Sequence, residues 1–463
     1  MTTPHDAPPS TRSERGWRDN PTTIWLAVAA IVGIGVLVQR RLVPHSTWLV
    51  IHAIFLGALT HAAVVWSTHF AQALLKTAPE VDPRARQTRR IATLFVGVAT
   101  VLVAVVTEAW AYAVAGAVLV SVAILWHAVA LWRRLRAALG ARFRVTLHFY
   151  LAAAAWVPVG ATAGVWLARE PSGDLEARLV VVHTSAMALG WIGFTVMGTL
   201  VTLWPTMLRT RIDPRAESLA HTALPILNGG LALIVVASAL GSRLLTALGF
   251  AAYLVGVVWW GRALHVPLRA RAPRELAPLA VAAALGWATL AVGWITSSLL
   301  FQPDWESVET SYGVPAAMLV GGFAPQLLLG ALSYLVPAVL GGGPAAVRAA
   351  RSRIDRYAVL RLVVVNLGVA LAISPFHAGI RAGAAAAALT AYLGYLPLIA
   401  LAVRDSRRAR TLPRAAKVTG PSETAPKLDV YRDLVIGLAV LAVAVLAGVL
   451  ADPVPMWPSL PRG

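Results

Sequence analysis

The sequence predicts an all-α fold, a polytopic bundle of transmembrane helices. Of its 463 residues 58% are hydrophobic and only 13% are charged, whereas a soluble domain carries roughly 25% charged residues. Apolar runs without charges recur along the whole chain, and about 18 or more such residues are what a helix needs to cross the hydrocarbon core. Lipid offers the backbone no hydrogen-bond partners, so each run must close its bonds internally as a helix. The alternative, a closed barrel, needs alternating strands that the sequence lacks.

Thirteen spans follow in order. Residues 1–22 are polar and Pro-rich and form a tail, and the run Ile24 to Val38 lacks a small-residue cleavage site, so 23–39 reads as a retained first span. The second, 47–75, ends where a basic stretch begins at Lys76. The third and fourth, 91–107 and 109–132, part at Thr107–Glu108. The fifth, 145–168, follows the basic run Arg133 to Arg144, and the sixth, 179–207, stops at Arg209. Spans 219–240, 244–261, 276–301 and 313–341 follow, then 358–376 and 379–403. A basic linker over 404–430 leads to the last span, 431–451, and a tail, 452–463. Residues 23–403 thus form one membrane domain to which the last span is attached.

Lys and Arg concentrate in alternate loops: Lys76 to Arg90, Arg133 to Arg144, Arg209 to Arg215, Arg262 to Arg274, Arg348 to Arg356 and Arg404 to Lys427. Loop 302–312 instead carries Asp304, Glu306 and Glu309 with no basic residue. By the positive-inside rule the N-terminus is cytoplasmic, and an odd number of spans places the C-terminal tail outside the cell membrane. Arg40 and Arg41 oppose this scheme and are read as snorkelling from the first helix. The formal charge of +19 is therefore a topology signal and not a nucleic-acid footprint. With no cysteine in the chain, disulfides, thiolate metal sites and cysteine nucleophiles are excluded, and a metal would have to use His, Met or oxygen. No phosphate-binding Gly loop, nucleophile elbow or paired carboxylate lies in a span.

One pattern recurs in the sixth and tenth spans: Gly198-x-Leu200-x-x-Leu203-x-Pro205-x-x-Leu208 and Gly330-x-Leu332-x-x-Leu335-x-Pro337-x-x-Leu340. A fainter echo, Gly57-x-Leu59, stands in the second span. Small residues and a Pro bend would account for the pattern as helix packing alone. The four-span period, with His52 opening the second span and His183 leading through Gly190-Trp191 and Gly198 to Trp204-Pro205 in the sixth, also resembles subunit I of the haem-copper oxidases. It is similar, more loosely, to NnrS-type membrane proteins and to actinobacterial membrane proteins found joined to or beside multicopper oxidases. The resemblance implies a twelve-helix core in three four-helix arcs plus one extra C-terminal span, with haem, and copper in addition, as cofactors. It departs from the family where the tenth span has no His, where the seventh has only His221 near one end, and where Ser185 stands in place of a second imidazole. A full oxygen-reducing site is therefore not expected.

Topology puts His52 and His183 at similar depth on two helices of the same direction, as a pair of haem-axial or metal ligands requires. Met187, one turn from His183, brings a thioether near the same face. His61, nine residues after His52, lies on the opposite face near the membrane centre. These four are the candidate cofactor-binding residues, with His52 and His183 the candidate metal ligands. His69, His127, His148 and His221 form an inner layer at the cytoplasmic ends of their spans. Asn228, Gln326 and Asn366 are expected to bond across helices or line a cavity. Trp48, Trp110 and Trp166 fall at span ends as interfacial anchors do. The expected function is a haem-binding, copper-linked membrane protein of redox, copper or nitric-oxide metabolism, partnered at the outer face by a multicopper oxidase or an electron donor. The alternatives are a transporter or permease hinged at Pro205 and Pro337, and a membrane anchor or assembly partner of an external oxidase.

Overall fold

The computed structural model describes residues 22, 24–35, 45–75, 83–138, 140–411 and 429–451. The N-terminal tail up to Pro21, most of the linker, and the C-terminal tail fall outside these residues, as do Arg40, Arg41 and Lys76. The described residues are 88% helical, with no strand among them. Eleven of the described helices are long and apolar enough to cross a membrane, and two apolar helices are shorter. The chain is thus an all-α polytopic membrane protein.

In order, the helices are α1 (Ile24–Gly35), α2 (Ser46–Leu75), α3 (Pro83–Val106), α4 (Trp110–Ala137), α5 (Arg144–Leu167), α6 (Asp174–Leu208), α7 (Ala216–Ala239), α8 (Arg243–Ala270), α9 (Leu276–Phe301) and α10 (Trp305–Leu340). They are followed by α11 (Gly343–Ile354), α12 (Ala358–Ala372), α13 (Ala378–Arg410) and α14 (Val430–Ala451). Thirteen of these occupy the thirteen expected spans. The division at Thr107–Glu108 is a real turn, in which Glu108 adopts φ 54°.

Five basic stretches expected as loops are helical at least in part: Arg86 to Arg90 open α3, Arg133 to Arg136 close α4 and Arg262 to Arg269 close α8, and two more lie in α11 and α13. In α11, Ala346, Ala350 and Ile354 recur every four residues and are all buried, while Arg348 is exposed. That amphipathic spacing makes a helix where the charges alone suggested a loop. Basic residues Arg404, Arg407, Arg408 and Arg410, expected to open the linker, instead extend α13, which buries Ala402 and Ala409.

The chain divides into two compact units, the first made of Met1–Val32, Pro44–Pro171 and Val182–Thr199, the second of Gly33–Val43, Ser172–Val181 and Leu200–Gly463. Within unit 1, Trp110 donates to the Val165 carbonyl at 3.0 Å. The Arg169 guanidinium lies 3.8 Å over the same indole, a cation–π contact suited to a helix end. His127 of the inner layer is buried and bonds Ser67 Oγ at 2.8 Å, whereas His69 and His221 are exposed and His148 is half-buried.

Within unit 2, Asp355, between α11 and α12, is buried, and its Oδ1 accepts from the Leu276 N–H at 2.9 Å, satisfying an orphan donor at the start of α9. Burial, more than any neighbour, pushes this carboxyl up to about 6, with Glu275 adding to the rise and Arg361 and Arg351 opposing it. A carboxyl whose folded value exceeds its unfolded value stabilises the fold most when protonated. Its contribution therefore diminishes as pH rises from about 4 to 6 and is constant above that. We expect Asp355→Asn, which keeps an acceptor for Leu276, to flatten the pH dependence of thermal unfolding across this window. Asp355→Ala should lower stability by about 1–2 kcal/mol near pH 4, as loss of a helix cap does, and by less above pH 6.

Candidate functional site

A wide helical turn interrupts each of three spans. The backbone becomes π-helical at Ala53–Leu59 in α2, Ser185–Gly193 in α6 and Met318–Phe323 in α10. A π turn bonds i to i+5, and such turns cluster at functional sites. In each case a side chain four residues on also bonds a carbonyl of the wide turn. His61 Nδ1 bonds the Gly57 carbonyl at 2.7 Å, Thr195 Oγ1 the Trp191 carbonyl at 2.7 Å, and Gln326 Nε2 the Gly322 carbonyl at 2.7 Å. Thr60 adds a second such bond in α2, to the Phe55 carbonyl at 2.8 Å.

The four-span period is thus carried by backbone geometry. The motif glycines have a plainer role, because a Cβ on Gly198 would lie 2.7 Å from Phe149 Cβ in α5, and one on Gly330 would lie 3.0 Å from Ala280 Cβ in α9. Each glycine admits the first turns of the preceding helix, which is packing. The echo Gly57-x-Leu59 does not share this register. Trp191 donates to Thr60 Oγ1 at 3.1 Å across a separation of 131 residues, and the same separation divides His183 from His52. In unit 1, then, α2 and α6 lie side by side with these two pairs in step.

The imidazoles of His52 and His183 meet, with ring centroids 6.0 Å apart and planes inclined by 29°. Both side chains are half-buried. His52 Nδ1 bonds the Trp48 carbonyl at 2.9 Å and His183 Nδ1 bonds the Gly160 carbonyl of α5 at 2.8 Å. A carbonyl only accepts, so each Nδ1 carries the proton and each neutral ring keeps the Nε2 lone pair, the tautomer of a metal-ligating histidine. The Trp48 indole stacks on His52 at 3.9 Å, inclined by 22°.

On the other side, α5 forms a notch for α6. A Cβ on Gly164 would stand 2.8 Å from His183 Cε1, and one on Gly160 would stand 2.9 Å from Met187 Cγ. Met187 therefore lies one turn from His183 against the same pair of glycines. His61 does not join this group: it is fully buried, and its ring packs 6.3 Å from Trp25 and 6.1 Å from Phe95.

Two nitrogens bound on opposite sides of one metal, at about 2.0–2.1 Å each, hold their ring centroids roughly 6 Å apart. The His52–His183 centroids have this spacing, in a stacked arrangement of the two rings. Among the described residues no group of three or more His, Cys, Asp or Glu could hold a metal ion. Two imidazoles are what the described residues bring together at this place. Sequence reasoning found both histidines, but it missed Gly160, Gly164 and the Trp48 carbonyl, which fix the ring orientations. A Gly-x-x-x-Gly spacing in the fifth span was the available signal. Compared with known proteins, the chain matches no family model and no curated protein sequence.

Proposed function

We propose that the chain is a haem-binding integral membrane protein in which His52 and His183 would hold the haem. The observation that carries this reading is the 6.0 Å separation of two imidazoles, each oriented by a backbone carbonyl. The resemblance to subunit I of the haem-copper oxidases and to NnrS-type proteins points the same way. Haem would supply one-electron redox chemistry. The chain's own groups hold and tune it: the Trp48 and Gly160 carbonyls fix each ring and raise its basicity, Trp48 covers His52, and Met187 stands against the His183 face. A copper-linked or nitric-oxide-related role without a full oxygen-reducing site agrees with the absence of His from α10. With the N-terminus cytoplasmic, the site lies in the outer half of the bilayer, within reach of an external multicopper oxidase or electron donor. Pro205 and Pro337 each lie one turn from a helix end, at Leu208 and Leu340, so neither breaks its span as a transporter hinge would.

Detergent-solubilised protein from haem-sufficient cells should show a Soret band that shifts on reduction. His52→Ala and His183→Ala should each abolish the low-spin, six-coordinate spectrum, since a bis-imidazole site needs both rings. A colourless native preparation with correctly folded helices would overturn the reading.

A further inference from the structure

His61 and Trp25 are buried at 0% and 5% exposure, and in each one polar atom, His61 Nε2 and Trp25 Nε1, has no hydrogen-bond partner among the described residues. Their rings are neighbours at 6.3 Å. His61 Nδ1 is committed to the Gly57 carbonyl, so Nε2 is an acceptor, while an indole N–H is a donor only. An unpaired donor and an unpaired acceptor thus belong to two neighbouring rings where no bulk water reaches.

Unit 2 contains the same arrangement, completed. Gly57 admits the Trp25 indole, whose Cγ would lie 2.6 Å from a Cβ there, and Gly322 admits the Trp287 indole, with Cγ at 2.3 Å. His61 bonds the Gly57 carbonyl as Gln326 bonds the Gly322 carbonyl. In unit 2 the circuit is closed by Asn366 of α12. Its Oδ1 accepts from Trp287 Nε1 at 2.7 Å, and its Nδ2 donates to Gln326 Oε1 at 3.1 Å. In unit 1 the residue that touches both partners is Phe95 of α3, 5.1 Å from Trp25 and 6.1 Å from His61, and a phenyl ring can do neither job.

We propose that Trp25, His61 and Phe95 line a binding site for one small amphiprotic molecule, water, which accepts from the Trp25 indole and donates to His61 Nε2 as the Asn366 carboxamide does in unit 2. The donor set excludes other ligands. A metal cation would find one lone pair and an N–H aimed at it, and an anion would face the Nε2 lone pair. A water needs two to four polar partners to be held inside a protein, and the pair supplies two of opposite sense. This site is independent of the His52–His183 reading, since its partners are other atoms.

The test uses the full chain labelled with [15N]histidine, the His61 resonances being assigned by their loss in His61→Phe. His61 Nε2 should carry the shift of a hydrogen-bonded acceptor and receive magnetisation from water. In Phe95→Asn the hydrogen-bonded shift should persist while the transfer from water is lost, because the new carboxamide takes the place of the ligand. The midpoint of thermal unfolding of Phe95→Asn should stay within a few degrees of the native value, and should fall well below it when Trp25→Phe is added. A native Nε2 with a free-acceptor shift or no transfer from water would overturn the proposal. So would an equal loss of melting temperature from Phe95→Asn in both backgrounds.

Discussion

Gly164→Leu is expected to eliminate the low-spin haem spectrum while leaving the chain folded. A Cβ at this position would fall 2.8 Å from Cε1 and 2.9 Å from Nδ1 of His183, inside any permitted contact. The ring cannot yield sideways without giving up its bond to the Gly160 carbonyl, one turn away on the same helix. Leucine therefore displaces the imidazole, and with it one of the two proposed haem-holding rings, although neither histidine has been changed. Overpacking of this kind destabilises by about 1–3 kcal/mol, a change that thermal unfolding in detergent would register alongside the lost absorbance. Gly229→Ala in α7 is the control. Nothing lies within 4 Å of its added Cβ, and alanine is the better helix former by about 0.8–1.0 kcal/mol, so stability should hold or rise with the spectrum intact. An unaltered spectrum in Gly164→Leu would show that His183 does not need its notch, and would detach the ring geometry from the proposed ligation.

The sequence made the helices legible because each lies in a solvent that permits nothing else. Apolar runs marked all thirteen, eleven of them long enough to cross a membrane, and charge marked their ends only roughly, since several helices run on through basic residues. The His52–His183 pairing was also legible, from equal depth on two helices of one direction. The three π turns were not, since Ala53–Leu59, Ser185–Gly193 and Met318–Phe323 share no residue pattern that sets them apart from ordinary apolar helix. What they share is a polar residue that bonds the carbonyl four positions before it, and the three that serve, His61, Thr195 and Gln326, differ chemically. For the same reason the Gly57-x-Leu59 echo misled: the letters repeat, but the wide turn sets the register. Amphipathic α11 escaped because its apolar face is mostly alanine, too weak a signal beside its arginines.

Gly448→Leu is expected to release α14 from α12 and α13, in contrast to the idea of a final span that is merely attached. In unit 2 the backbones meet directly: a Cβ on Gly448 would lie 2.2 Å from the Gly379 carbonyl oxygen, and one on Gly383 would lie 2.2 Å from that of Ala444. Gly379 and Gly383 on one helix thus face Ala444 and Gly448 on the other, a small-residue seam of the kind that lets membrane helices touch where no hydrophobic effect drives them together. Side chains can change rotamer to absorb a clash, but a carbonyl held in a helix cannot, so the helices must separate. Separation forfeits the dispersion contacts along the seam and exposes Leu441, now 5% exposed within the cluster it forms with Val364, Ala384 and Ala387. Because the chain has no cysteine, Leu441→Cys creates a single thiol that reports this directly. It should resist a membrane-permeant thiol reagent in the otherwise native protein and react readily once Gly448→Leu is added. Gly286→Ala in α9, where an added Cβ meets nothing within 4 Å, should leave it protected. Equal labelling with and without Gly448→Leu would mean that α14 is held by something other than this seam.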